Sequence, residues 1–419
     1  MNKFTDKHPA LKNILTMLSS SSVSQVIPFI TAPILTRMYL PEDFGVYEIY
    51  YSLMTVFVVI PNLRLENAVL IEKTIDKCFN ILVFVFLSNV LFLILGLLIV
   101  FFLSDFITSY YNIDDVGNWI YMIPIGMFLS SIYNLLTILL IRFSKFKYLA
   151  YNKIFLTISN AAIQISFGVL MLGASGLIYG NIISYLLAVL LIAIPTFKLI
   201  KNNEFHIEKG TIVNAIKENK DFVIYTLPGD FISNFSNQLP TILIGKYFSS
   251  QSLGFYGMAR RIIGLPLAFI SGAIQDVFKK EATDEFNSKG NIKKTYTLTF
   301  GLLFIFGLIL VSGLYLFGEV VIVGFLGEKW KPSVEIIQVL SVLFSIKFIS
   351  GTLNYVFLIK SKQKLDLIFQ IIQLVVVIVA FKLASMINYD FYETLILYTL
   401  LISIYSIINL NFSYKYAKQ

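Results

Sequence analysis

Asn80-ILVFVFLSNVLFLILGLLIVFF-Leu103 carries no charged residue from one end to the other. Wound as a helix at 1.5 Å per residue, such a run crosses the roughly 30 Å of hydrocarbon in a bilayer. Apolar stretches of similar length recur along the whole chain, and the expected spans are 14–35, 44–66, 80–103, 118–141, 154–172, 177–198, 222–244, 254–276, 296–317, 334–358, 365–385 and 392–412. Composition agrees, with 57% hydrophobic and 14% charged residues against roughly 25% charged in soluble domains. Nearly every residue falls in a span or a short connection, so no separate soluble domain fits.

The net charge of +8 would suggest nucleic acid in a soluble protein, but here the distribution of Lys and Arg accounts for it. With these spans, most of the 33 basic residues fall on the side that carries the N-terminus: Lys3, Lys7 and Lys12, Lys73 and Lys77, the 142–153 and 198–220 groups, the 279–294 group, Lys360–Lys364, and Lys415 and Lys418. Few lie opposite, among them Arg37, Lys246, Lys329 and Lys331. The positive-inside rule then makes both termini cytoplasmic and the span count even. A missed span would scramble this alternation. The expectation is a multi-pass protein of the bacterial cytoplasmic membrane, with its first span serving as an uncleaved insertion signal.

A single cysteine, Cys78, excludes an internal disulfide, and two histidines, His8 and His206, exclude a His-based metal cluster. No metal site or cofactor is expected. No G-x-x-x-x-G-K-[ST] loop for ATP occurs either.

Displaced by 209 residues, the chain partly repeats itself. Arg37-Met-Tyr39-Leu-Pro-Glu-Asp-Phe44-Gly45-Val-Tyr47 aligns without gaps on Lys246-Tyr-Phe248-Ser-Ser-Gln-Ser-Leu253-Gly254-Phe-Tyr256, with a basic residue, an aromatic, an apolar residue, Gly and Tyr at matched offsets. Two lobes of six spans follow, 1–200 and 221–419, joined by the polar segment 201–220 with a short amphipathic helix around Thr211–Lys220. An even span count per lobe gives both one orientation, the arrangement in which transporters place their binding site at the repeat interface near the membrane midplane. The fold class expected is an all-α membrane protein of twelve helices in two lobes around a central cavity.

Thr36-RMYLPEDFGV-Tyr47 resembles the span 1–2 signature of bacterial polysaccharide-biosynthesis flippases of the Wzx type, within the multidrug/oligosaccharidyl-lipid/polysaccharide exporter superfamily. Arg64-Leu-Glu66-Asn-Ala-Val and Gly327-Glu-Lys-Trp330 resemble further motifs of that group. The resemblance implies a lipid-linked oligosaccharide on undecaprenyl pyrophosphate as substrate, moved from the cytoplasmic to the outer leaflet for O-antigen or capsule synthesis. It also implies membrane lipid and polysaccharide polymerase machinery as partners.

A carrier of wet headgroups needs polar stripes facing a shared cavity, because unpaired polar groups in hydrocarbon cost several kcal/mol. In span 7, Asp230, Ser233, Asn234, Asn237, Gln238 and Thr241 follow helical spacing. Span 1 offers Ser21, Ser24, Gln25, Pro28 and Thr31, span 4 Ser130, Asn134 and Thr137, span 5 Thr157, Asn160 and Gln164, and span 10 Lys347, Ser350, Gly351 and Asn354. The competing reading is hydrogen bonding between helices. Four cations fall within spans, Arg64, Arg260, Arg261 and Lys347, against one deeply placed acid, Asp230. Arginine's planar fork suits phosphate and lysine acts as a point charge, so these four are the candidate anion site. Their competing reading is snorkelling or, for Lys347, pairing with Asp230. Arg37 and Lys246, at matched outer ends, are candidate gates or interfacial anchors. The transport reading runs by alternating access, driven by the membrane potential or by H+ or Na+ exchanged at Asp230. A drug/cation antiporter is the alternative, disfavoured by the basic balance. An enzyme is not expected: outer acids Asp105, Asp114 and Asp115 sit on a short loop, with a solvated turn the reading for the pair.

Overall fold

A computed structural model describes residues 9–111, 118–203 and 206–419, and among them only helices and turns occur. The helices are α1 (Pro9–Met38), α2 (Pro41–Phe57), α3 (Glu66–Ile71), α4 (Ile75–Tyr111), α5 (Met122–Arg142), α6 (Phe146–Val169), α7 (Gly173–Lys201), α8 (Lys209–Glu218), α9 (Leu227–Tyr247), α10 (Ser250–Lys289), α11 (Lys293–Leu326), α12 (Ser333–Leu353), α13 (Tyr355–Ile359), α14 (Gln363–Ile387) and α15 (Phe391–Lys418). Eight helical stretches are long and apolar enough to cross a membrane: most of α4, α5 with the turn before it, α7, Ser250–Ser271 of α10, α11, α12 through α13, α14 and α15. The protein is a multi-pass membrane protein. Expected spans 1, 2, 5 and 7 fall on α1, α2, α6 and α9, four further long helices that are more polar.

Three expectations change. Span 2 is not one helix over 44–66: α2 ends at Phe57, and residues 58–65 form turns before α3. Pro61 has no N–H to continue the ladder, and Leu63 and Arg64 take positive φ of 53° and 58°. Asp105 belongs to α4, which runs to Tyr111, rather than to a loop. Asp114 and Asp115 lie outside the described residues, as do Lys3, Lys7 and His8. Finally, the polar segment 201–220, expected as the join between the lobes, is hydrogen-bonded to the first unit.

By its packing the chain divides into Met1–Gln238 and Leu239–Gln419. The expected bounds put the join at 201–220, but that stretch docks on α4. The Lys77 Nζ donates to Glu218, the Asn80 amide donates to the His206 carbonyl at 2.9 Å, and Asn219 donates to Glu72 at 2.6 Å. Ala215 of α8 sits in a core with Leu82, Val85 and Leu135. The division falls inside α9 instead.

In the first unit α5 packs against α2, α4 and α7, and α6 packs against α1 and α7. In the second, α12 packs against α10, α11 and α15, and α14 against α15. The 209-residue displacement reappears in three dimensions: α1 ends at Met38 and α9 at Tyr247, while α2 begins at Pro41 and α10 at Ser250. Phe44 and Tyr47 are buried in one unit, Leu253 and Tyr256 in the other. The start of α2 is closed by Asp43, which accepts from the Leu40 backbone at 2.8 Å, and the start of α10 by Ser249, which accepts from Ser252 at 3.2 Å.

Candidate functional site

Irregular backbone at membrane depth persists only where protein or water satisfies it. Around the 58–65 turn, α4 and α5 supply the partners. The Pro61 carbonyl accepts from Ser88 Oγ at 2.9 Å, Asn89 donates to Asn62 Oδ1 at 2.8 Å, and Asn62 donates to the Ser131 carbonyl at 3.1 Å. Asn62, Ser88, Asn89 and Ser131 are all buried. This network holds Arg64 at the end of the turn, in a left-handed conformation that a non-glycine residue adopts only under such constraint.

Arg64 is clasped by two carboxylates. Its Nε lies 2.6 Å from Asp230 Oδ2, and its NH1 donates to Glu66 Oε1 at 3.2 Å. Glu66 is 5% exposed, and its second oxygen has no hydrogen-bond partner. Glu66 stands two positions after Arg64 in the quoted motif, where the sequence reads only as a span end, and the structure makes it a buried acid beside Arg64. Asp230 is thereby the partner of Arg64, not of Lys347.

A π-turn at Phe222–Thr226 leads into α9 and sets the direction of Asp230 in its first turn. Phe231 packs on Phe57, with ring centroids 6.0 Å apart, and Asn234 donates to the Thr55 carbonyl at 3.2 Å. The expected stripe of α9 divides. Asp230, Ser233 and Asn234 are half-buried and Asn237 is exposed, whereas Gln238 and Thr241 are buried.

In the second unit, Arg260 of α10 donates from NH1 to Thr241 Oγ1 at 3.1 Å. Lys347 lies on α12 of the same unit. Both are partly exposed, as is Arg261. Among the described residues the Lys347 ammonium has no hydrogen bond and no carboxylate partner. Asn354, two turns beyond Lys347, keeps a buried side-chain carbonyl without a partner.

The remaining candidates separate by their contacts. Ser24 is buried and donates to the Ser20 carbonyl at 2.7 Å within its own helix, and Gln25 has a buried oxygen without a partner. Gln164 is helix glue: its amide donates to the Leu177 carbonyl at 3.0 Å, and its own carbonyl accepts from Tyr39 OH at 2.6 Å. Arg37 donates to the Pro33 carbonyl of its own helix at 2.7 Å, and Lys246 Nζ lies 5.3 Å from the Tyr247 ring centroid. Among the described residues no group of three or more His, Cys, Asp or Glu side chains could hold a metal ion.

Apolar helices beside more polar ones, a broken second helix and charges kept within the helices describe a multi-pass membrane protein. The chain belongs to the polysaccharide biosynthesis protein family, whose model matches residues 34–335. It is 23% identical over 154 residues to the teichuronic acid biosynthesis protein TuaB of Bacillus subtilis (strain 168), an alignment covering 36% of this chain and 32% of that relative. The matched part thus spans about a third of the curated relative's length. The fold of this chain is similar to that of a solved structure described as the lipid II flippase MurJ, inward closed conformation, with a TM-score of 0.75 at 13% identity over 96% of this chain and 87% of that one. It also matches an inward-facing multidrug resistance MATE family transporter of the MOP superfamily, with a TM-score of 0.62 at 13% identity over 95% and 93% of the two chains.

Proposed function

We propose that the protein is a flippase that carries a polyprenyl-pyrophosphate-linked oligosaccharide from the cytoplasmic to the outer leaflet by alternating access, for surface polysaccharide synthesis of the O-antigen or capsule kind. The observation that carries this reading is Lys347, a cation within a span whose ammonium among the described residues has neither a hydrogen bond nor a carboxylate partner, in the same unit as Arg260. A lysine within a span costs about 2.5–3.5 kcal/mol on the insertion scale, so its retention calls for a task. Lys347 and Arg260, with Arg261 beside them, hold the pyrophosphate. The saccharide meets amides and hydroxyls of the polar stripes, and the polyprenyl tail remains in lipid.

The family membership and the MurJ-like fold support this reading. Twelve spans in two six-helix lobes, with both termini cytoplasmic in a bacterial inner membrane, complete it. Movement is driven by the membrane potential, worth about 2.3 kcal/mol per negative charge per 100 mV, or by H+ or Na+ at Asp230. The second course draws support from Glu66 and Asp230, whose two negative charges outnumber the single Arg64 between them.

Complementation tests the proposal. In a host lacking its own flippase, the wild-type chain restores surface polysaccharide, and Lys347→Ala and Arg260→Ala at equal protein level lose most of it. Full activity of both variants removes the anion-site reading.

A further inference from the structure

Within the second unit, the ends of α9, α14 and α15 enclose a cleft of about 260 Å³, lined by Tyr247, Phe248, Phe381, Ser385, Asn388 and Tyr389 with Ala384 and Thr394 at its base. It belongs to none of the residues assigned above. Its floor is rigid: Phe381, Ala384 and Thr394 are each 1% exposed, and Phe248 is braced edge-on by Phe391 at 5.3 Å between ring centroids. Its rim is polar and open. Asn388 caps α14 in a left-handed conformation with φ of 59°, and the Tyr389 N–H returns to the Ala384 carbonyl at 3.0 Å, which projects both side chains from the helix end.

Tyr247, Ser385, Asn388 and Tyr389 are exposed, and among the described residues their side-chain hydroxyls and amide are not hydrogen-bonded within the protein. The Thr394 hydroxyl, by contrast, is spent on the Asp390 carbonyl at 2.7 Å. At the matched junction of the first unit Tyr39 is buried, its hydroxyl bonded to the Gln164 carbonyl and its ring against Gly168 at 3.0 Å from where a Cβ would stand.

We propose that this cleft is a saccharide subsite taking one pyranose ring. A pyranose offers C–H faces and hydroxyl edges. The aromatic rings of Tyr247, Phe248 and Tyr389 suit the former, while the Asn388 amide and the three hydroxyls both donate and accept along the latter. No charged side chain lines the cleft, which disfavours phosphate as its occupant. At about 260 Å³ it lies just below the roughly 300–1,000 Å³ of pockets for drug-sized molecules, so one ring fits and a polyprenyl chain does not. The subsite is separate from the Arg260–Lys347 site and does not depend on the transport reading.

The test uses the full chain in nanodiscs free of glycoside detergents, with saturation-transfer NMR on three probes: methyl glucoside, methyl N-acetylglucosaminide and methyl glucuronoside. At least one glycoside receives saturation through its ring C–H protons. Its affinity falls tenfold or more in Tyr389→Ala and in Asn388→Gly, the latter keeping the left-handed backbone while removing the amide. Met386→Ala, at a residue 71% exposed and outside the cleft, binds as wild type and controls for folding. Absence of saturation for all three glycosides overturns the proposal, and so does saturation that persists unchanged in both cleft variants. The assay involves no translocation, so its outcome stands apart from that of complementation.

Discussion

The two units start from the same plan and part company at their second helices. In the first, α2 breaks after Phe57, and a buried Asn62–Ser88–Asn89 network carries the loose backbone to Arg64. In the second, α10 runs unbroken past the matched place despite Pro266 and continues to Lys289. The charges differ accordingly. Arg64 sits between two acids, whereas Lys347 has no carboxylate partner among the described residues. A half-buried arginine held by two carboxylates stabilises its own fold, while a lysine kept within a span without an acid carries an uncompensated desolvation cost.

The largest expected effect breaks the clasp. Arg64→Ala leaves the buried Glu66 uncompensated and costs about 3 kcal/mol in thermal unfolding, and adding Glu66→Gln recovers most of it. Asp230→Asn costs under about 1 kcal/mol by the same measurement, because its side chain is 39% exposed and solvent screens the pair. Equal losses for the two arms would sink the distinction between them. Next, Asn89→Ala strips the broken helix of its main bracket and costs about 2 kcal/mol, with faster hydrogen exchange confined to 58–65.

The junctions give a smaller contrast. Tyr39→Phe loses the bond to Gln164 and costs about 1 kcal/mol, whereas Phe248→Tyr adds a hydroxyl beside open space and shifts stability by less than about 0.5 kcal/mol.

The smallest effect concerns the α10–α11 turn. Burial works to raise the Glu285 carboxyl, but hydrogen bonds from Thr295 and the Lys294 backbone, with Lys289 nearby, outweigh it and hold the group below the usual range. A depressed carboxyl contributes stability that is present above its unfolded value and lost as pH falls through the folded one. Exchange of the Thr295 amide therefore rises on acidification in wild type and becomes independent of pH in Glu285→Gln, once corrected for intrinsic exchange.

Much of the fold is legible in the residues. Uncharged runs mark the membrane-crossing helices, and the Arg37–Tyr47 and Lys246–Tyr256 segments locate helix ends that match to the residue. What escapes a linear reading is whatever depends on two elements meeting. Glu66 reads as a span end until α9 brings Asp230 to the other side of Arg64. Gln164 reads as cavity lining until α7 presents the Leu177 carbonyl. The 201–220 segment reads as a linker because its hydrogen bonds go to Glu72 and Asn80, more than a hundred residues earlier in the chain. Helical periodicity tells which residues share a face, and the neighbour that covers the face is set by tertiary packing.

Transbilayer movement of a fluorescent polyprenyl-pyrophosphate saccharide in proteoliposomes tests the central claim most directly. Wild-type protein should expose the label to an external quencher far faster than empty liposomes do, with Lys347→Gln slowing that exposure tenfold or more. A wild-type rate no greater than that of empty liposomes, or a Lys347→Gln rate equal to wild type, would contradict it.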